Sequence, residues 1–387
     1  MSPSLQGPVR RLKQARCAPP AVLEHFEQLY ADGPAPLRGA RRRSGPLRIA
    51  AIVPSFKKGS GGHQTLSSLL KRLAARGHSV SIWIDDSEGW HTGKPAASVV
   101  AEFIAAFGCA ELPVHLGFED WEGGETVLAT GWQTVPRALL LEGVCRRAYL
   151  VQDHEPQFYP TSLQSLLAEA TYSFGLPCIA ASSWLADLLA TRYGAKAIGF
   201  ELPVDHDVYF PASETSAGRR SKPTVLFYAR AATQRRAVPL GLAALERLSA
   251  LMPEAEIVLF GAERPPRVRF PARSLGVLAP TELADRYRRS DLGLCFSLTN
   301  PSLVTLEMMA CGLPCIELAS EPMRATFGGR GAPLLCRPSA GEIATRIQSL
   351  LVDSAAYAEL RNRCLEVARS HHWEPVVSLV ERLLTEI

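Results

Sequence analysis

Twice along this chain the same series recurs: a short, nearly continuous apolar run, a polar or glycine-rich corner, then an amphipathic helical stretch. In LRIAAIVPS, starting at Leu47, the residues after Arg48 stay apolar up to Pro54. A strand open to water on one face would alternate, so such a run suits a strand covered on both sides. FKKGSGGHQ follows, and then TLSSLLKRLAARGH, where Leu66, Leu69, Leu70 and Leu73 share one helix face and Gly77 closes it. Further apolar runs stand at SVSIWID, TVLATG, RAYLVQD and CIAAS. The series restarts with TVLFYAR, a helix at PLGLAALERLSALMP, a strand at EIVLFG, a helix at PTELADRYRRS and a strand at DLGLCFSL. Strands that alternate with helices in this way imply a parallel α/β sheet, here two of the same class in succession.

At 387 residues the chain exceeds one ordinary domain. Residues 1–45 read as a basic N-terminal extension, with a short helix at AVLEHFEQLYA and a connector at DGPAPLRGARRRSGP. The first α/β domain covers 46–205, a linker rich in Ser, Gly and Pro covers 206–222, and the second α/β domain covers 223–370. Residues 371–387 have apolar positions at 376, 377, 380, 383 and 384, a terminal amphipathic helix that either packs back across the first domain or caps its own.

The formal charge of +4 is too small to imply a nucleic-acid partner, and much of the excess is local. Arg10, Arg11, Lys13, Arg16, Arg38, Arg41, Arg42 and Arg43 all precede residue 46, an arm that either touches anionic lipid headgroups or is a solubilising tail. The nine cysteines are odd in number and mostly have apolar neighbours, and no second pair or histidine cluster completes a tetrahedral site around Cys311 and Cys315. Free thiols, no metal and no cofactor are the expectation. No run of about 18 apolar residues is present, and MSPSLQGPVRRLKQAR has no signal-peptide core, so a cytoplasmic location is expected.

Three stretches carry candidate chemistry. In KKGSGGHQT, between strand and helix, Gly59, Gly61 and Gly62 allow close backbone approach, and the helix N-terminus can receive an anion; a plain tight turn fits equally well. It is neither a Rossmann fingerprint nor a Walker sequence. FYARAATQRR sets Arg230 at a strand's carboxyl end with Arg235 and Arg236 on the loop after it, and guanidinium forks suit phosphate oxygens. A solvated arginine loop is the plainer alternative. In SLTNPSLVTLEMMACGLPCIE, Thr299, Asn300 and Ser302 form a turn and cap, and the helix that follows points N–H groups of Ser302, Leu303 and Val304 at the sheet's carboxyl edge, a seat for a diphosphate. Glu307 lies one turn deeper, either on the exposed side of the helix or buried. If buried it needs hydroxyl or arginine partners.

These stretches, together with PVDHDVYFP at the domain junction, resemble GT-B glycosyltransferases, most closely family 4 of the retaining enzymes. VQDHEPQFYP, LFYARAATQRR and SLTNPSLVTLEMMACGLP resemble the bacterial rhamnosyltransferases that build surface polysaccharides and S-layer glycans. The resemblance runs from about Leu47 to about Glu317. It implies two Rossmann-like domains facing across a cleft, with a nucleotide sugar held mainly by the second. It implies a saccharide acceptor; were that acceptor lipid-linked, the arginine-rich arm would supply the peripheral contact with the inner face of the plasma membrane. The family often has two glutamates separated by seven residues in this loop and helix. Glu307 matches the second, which implies a nucleotide-ribose role, and the first falls on Thr299, which leaves a hydroxyl where a donor-sugar carboxylate is expected.

Asp153, His154 and Glu155 are candidates to orient donor or acceptor hydroxyls, with Phe158 and Tyr159 as a sugar-stacking wall. Arg230, Arg235 and the Ser302 helix end would neutralise charge on the leaving diphosphate, without a metal. The Asp205-His206-Asp207 triplet reads as a junction element. The expected reaction is therefore transfer of a sugar, L-rhamnose from dTDP-rhamnose, to a saccharide in surface glycan synthesis. Retention follows from the resemblance alone; inversion would need one of Asp153, His154 and Glu155 as general base. A non-catalytic nucleotide-sugar or glycan-binding protein of the same fold is the alternative that the missing glutamate raises.

Overall fold

The computed structural model describes residues 21–39, 45–212 and 222–387. Most of the basic arm, including Arg41 to Arg43, and residues 213–221 of the expected linker lie outside the described residues.

The first domain is built on β1 (Arg48–Pro54), β2 (Ser79–Asp85), β3 (Val114–Leu116), β4 (Gly124–Ala129), β5 (Val144–Val151), β6 (Cys178–Ala180) and β7 (Ala197–Gly199). They form one parallel sheet in the order β3-β2-β1-β4-β5-β6-β7. The second is built on β8 (Thr224–Tyr228), β9 (Glu256–Phe260), β10 (Arg273–Ser274), β11 (Leu292–Leu294), β12 (Cys315–Leu318) and β13 (Leu334–Cys336), parallel in the order β10-β9-β8-β11-β12-β13. In each sheet the winding direction reverses beside the first strand, between β1 and β4 and between β8 and β11. Helices on opposite faces diverge there, and the crevice beyond the strands' carboxyl ends is where such sheets take ligands.

The buried runs at Ile49 to Val53 and Val225 to Phe227 explain why the central strands stand out in sequence. The edge strands do not, because β3 and β7 are three residues long and only partly covered. DLGLCFSL yields a strand of three residues only: beyond Leu294 the chain leaves the ladder, and the Ser297 N–H turns to the Glu317 carboxylate at 2.9 Å.

The residues before 46 are not simply an extension. α1 (Ala21–Asp32) places Val22, Phe26 and Leu29 on one stripe, and Phe26 is fully buried against the rings of Trp132 and Phe174. Residues 21–32 therefore complete the first domain's core. The terminal helix α13 (Trp373–Glu386) buries Val376, Val377, Val380, Leu383 and Leu384, and packs on α2 (Gly61–Ala75) of the first domain. Glu381 receives Arg76 and lies 2.9 Å from His78 Nε2, and the Arg72 guanidinium sits 4.3 Å from the Trp373 ring centre. The end of the chain thus ties the two domains together. Among the described residues no helix is long and apolar enough to cross a membrane.

Candidate functional site

The second domain's side of the cleft consists of two loops that hold each other. After β8 the chain makes a 3-10 turn at Gln234–Arg236 and reaches α7 (Val238–Leu251) through Ala237, at φ +42°. A non-glycine residue there is strained, so the turn must be held from outside. The Arg235 carbonyl accepts the Leu298 N–H at 3.1 Å, and Arg236 donates to Ser297 Oγ at 2.6 Å and to the Phe296 carbonyl at 3.4 Å. Arg236, expected at the donor, is therefore directed into this loop pair.

Beneath both loops lies Glu317 on β12, wholly buried. It accepts from Ser297 N–H (2.9 Å), Ser297 Oγ (3.0 Å), Thr305 Oγ1 (2.8 Å) and Leu318 N–H (3.3 Å). Burial pushes its pKa up to about 7, against the opposing pull of these donors and of Arg236. In sequence Glu317 is marked only by being the lone acid in the apolar run LPCIEL.

On the first domain, the expected trio separates. Asp153 follows β5 and faces the cleft. His154 turns back, buried, with Nε2 2.8 Å from the Tyr193 hydroxyl and its ring stacked on Tyr172 and Tyr193, and burial lowers its pKa. Glu155 opens a 3-10 turn and also points inward, accepting from the Trp132 N–H at 2.6 Å and the Tyr149 hydroxyl at 2.7 Å. These two are packing residues: the turn after β5 leaves one side chain of the three at the cleft. Phe158 lies under the Arg235 guanidinium, 4.0 Å from its ring centre, and Tyr159 receives the Trp132 indole N–H at 3.1 Å, so neither stands as a free stacking wall.

Burial drives the Glu155 pKa from 4.5 up to about 8. The native state thus holds a proton that the unfolded chain releases. The resulting stability is complete below about pH 4.5 and is lost as pH rises through about 8. Glu155→Gln, which mimics the protonated acid, is expected to flatten the fall in melting temperature between about pH 5 and about pH 8. Equal slopes in mutant and wild type would mean that Glu155 is ionised in the native state.

Across the cleft the candidates meet. Asp153 Oδ2 lies 3.0 Å from Thr299 Oγ1 and 3.1 Å from Arg235 Nε, and Oδ1 accepts the N–H groups of Asn300 (3.0 Å) and His154 (2.9 Å). Asn300, expected at the donor, is instead consumed by the first domain: it accepts from Ser182 Oγ at 2.6 Å and donates to the carbonyls of Gln152 (3.1 Å) and Ala181. Arg230 donates to the Gly59 carbonyl at 2.5 Å, which places it at the glycine corner. Gly59 has φ +74°, while Gly61 and Gly62 form the first turn of α2 rather than a loop. Ser60, the N-cap of α2, directs its hydroxyl to His63 and not to the helix backbone.

α9 (Leu303–Ala310) starts where expected, but Ser302 Oγ accepts the Val304 N–H at 3.3 Å, so that N–H is already engaged. Glu307 is only partly exposed and takes a hydrogen bond from the Tyr209 phenol; burial pushes its pKa up to about 7, with Tyr209 opposing. The hydroxyl partner that a buried Glu307 requires thus comes from the domain junction. Asp205 lies 3.7 Å from Arg72, and His206 Nε2 3.2 Å from the His371 carbonyl, a junction role for the acidic triplet.

The family described as WsaF, C-terminal domain, matches residues 223–328. The O-antigen biosynthesis protein RfbC of Myxococcus xanthus is 32% identical over 367 residues, which is 92% of this chain and 28% of that protein. The chain thus spans little more than a quarter of the length of this curated relative. Among solved structures, sucrose-phosphate synthase from Thermosynechococcus elongatus superposes with a TM-score of 0.66 at 18% identity, over 87% of this chain and 97% of that one. Anabaena Alr3699/HepE in complex with UDP-glucose superposes with a TM-score of 0.68 at 14% identity, over 88% and 99%. The fold is GT-B.

Proposed function

We propose that this chain is a glycosyltransferase that moves a sugar from a nucleoside diphosphate to a saccharide hydroxyl. The observation that carries the reading is the position of Arg230 and Arg235. Both sit beyond the carboxyl end of β8, at the reversal point of the second sheet, and face the glycine corner and Asp153 of the first. A pair of guanidinium groups there is suited to a diphosphate and to the charge that grows on it as the sugar leaves. Glu307, on α9 and held by Tyr209 from the domain junction, keeps lone pairs for ribose hydroxyls.

Between Phe158 and Pro160 of one domain and Thr233 and Arg235 of the other, the cleft holds a cavity of about 190 Å³. Ligand sites usually measure roughly 300–1,000 Å³, so the cavity as it stands is smaller than a nucleotide sugar needs.

The finer reading is L-rhamnose from dTDP-rhamnose, transferred with retention to a surface glycan at the inner face of the membrane. It draws support from the sequence resemblance, from the WsaF match to the second domain and from the O-antigen relative. Titration calorimetry with dTDP, UDP and GDP tests the site. One of them is expected to bind wild type, and Arg230→Ala to weaken it about tenfold, the loss of one charge-assisted hydrogen bond. Its rhamnosyl or glucosyl form is then the donor to try in turnover. A wild type that binds none of the three overturns the proposal.

A further inference from the structure

The position where the resembled family carries its first glutamate holds Thr299, yet a carboxylate is present at that place. It arrives from the other domain: Asp153 Oδ2 is 3.0 Å from Thr299 Oγ1. We propose that Asp153 is the donor-sugar carboxylate of this protein, delivered across the cleft, so that the sugar-binding set is complete only when the two domains are together. This rests on the glycosyltransferase reading and specifies which atom of the site meets the sugar.

The hydrogen-bond capacity of Asp153 supports it. A carboxylate has about four lone-pair sites. The N–H groups of His154 and Asn300 and the Thr299 hydroxyl fill three of them, and the Arg235 guanidinium, its Nε 3.1 Å from Oδ2 but making no hydrogen bond there, supplies the facing charge. The first three donors are fixed, Asn300 by its own bonds to Ser182, Gln152 and Ala181. Arg235 is the one neighbour not tied to Asp153 by a hydrogen bond, and its guanidinium is suited to phosphate. When a diphosphate takes that guanidinium, Oδ2 keeps a single neutral hydroxyl for a buried charged oxygen, which is costly unless another donor arrives. The open lone pair then calls for a donor from the bound molecule. Hydroxyls of the sugar ring are donors of the right kind.

Asp153 acting only as a clasp for Arg235 predicts a different result. The experiment compares wild type, Asp153→Asn and Asp153→Asn/Thr299→Glu, using UDP, UDP-glucose, dTDP and dTDP-rhamnose as probes. Asp153→Asn is expected to bind the bare nucleotide within about threefold of wild type but to lower kcat at least about tenfold, the mark of an interaction with the reacting sugar. The double variant, which returns a carboxylate to the second domain, is expected to regain most of that loss. An equal fall in bare-nucleotide affinity, an unchanged kcat, or a double variant no better than the single one overturns the assignment. A wild type with neither nucleotide binding nor turnover brings down the glycosyltransferase reading itself, and this is read before any substitution is made.

Discussion

Arg235→Ala is expected to lower kcat about 10²–10³-fold while leaving the melting temperature almost unchanged. The guanidinium is about a quarter exposed, lies over Phe158 and pairs with Asp153 at 3.1 Å. The loop itself is held by other atoms, the Arg235 carbonyl to Leu298 and the Arg236 side chain to Ser297. Truncation therefore removes charge from the cleft without releasing the turn. The loss falls on the step in which negative charge reaches the leaving diphosphate, where a fixed cation in a poorly solvated site acts most strongly. Arg235→Lys restores the charge but neither the planar fork nor the stacking on Phe158, so it should recover only part of the rate. Steady-state kinetics beside thermal melts make the check. An unchanged kcat in a folded Arg235→Ala protein would remove Arg235 from the leaving-group role.

Glu317→Ala is expected to cost about 3–5 kcal/mol of folding stability. Its carboxylate binds two backbone N–H groups and two hydroxyls in a fully buried place. Alanine leaves these donors unsatisfied where water cannot reach them, and a cavity beside them. Because Ser297 also positions Arg236, the loops at the cleft should loosen with the core. Glu317→Gln keeps the shape and an acceptor oxygen, and should cost about 1 kcal/mol. Urea unfolding of the three proteins provides the measurement. Near-equal midpoints for Glu317→Ala and wild type would mean that the carboxylate does not hold the loops.

Two kinds of information met in this chain. The alternation of apolar runs with amphipathic helices determined two parallel α/β domains, because a strand buried on both faces has no polar positions and a one-sided helix has a fixed period. The same patterning marked the helix starting after Ser302, the glycine corner and the terminal helix, since caps, glycines and i, i+3, i+4 spacing act over a few residues. The arginines after β8 were legible as cations at a strand end for the same local reason.

What the tertiary structure decided depends on direction and distance. The triplet Asp153, His154 and Glu155 looks uniform as a string, yet the turn after β5 sends Asp153 to the cleft and the other two into the core. Asn300 reads as a ligand-binding cap until the first domain is in place to engage all of its amide. Thr299 reads as a lost carboxylate until Asp153, distant in the chain, is found beside it. A sequence displays which groups a loop carries. Only packing determines which of them meet, because a hydrogen bond needs its partners within about 3 Å, and residues far apart in the chain come that close only through the arrangement of whole domains.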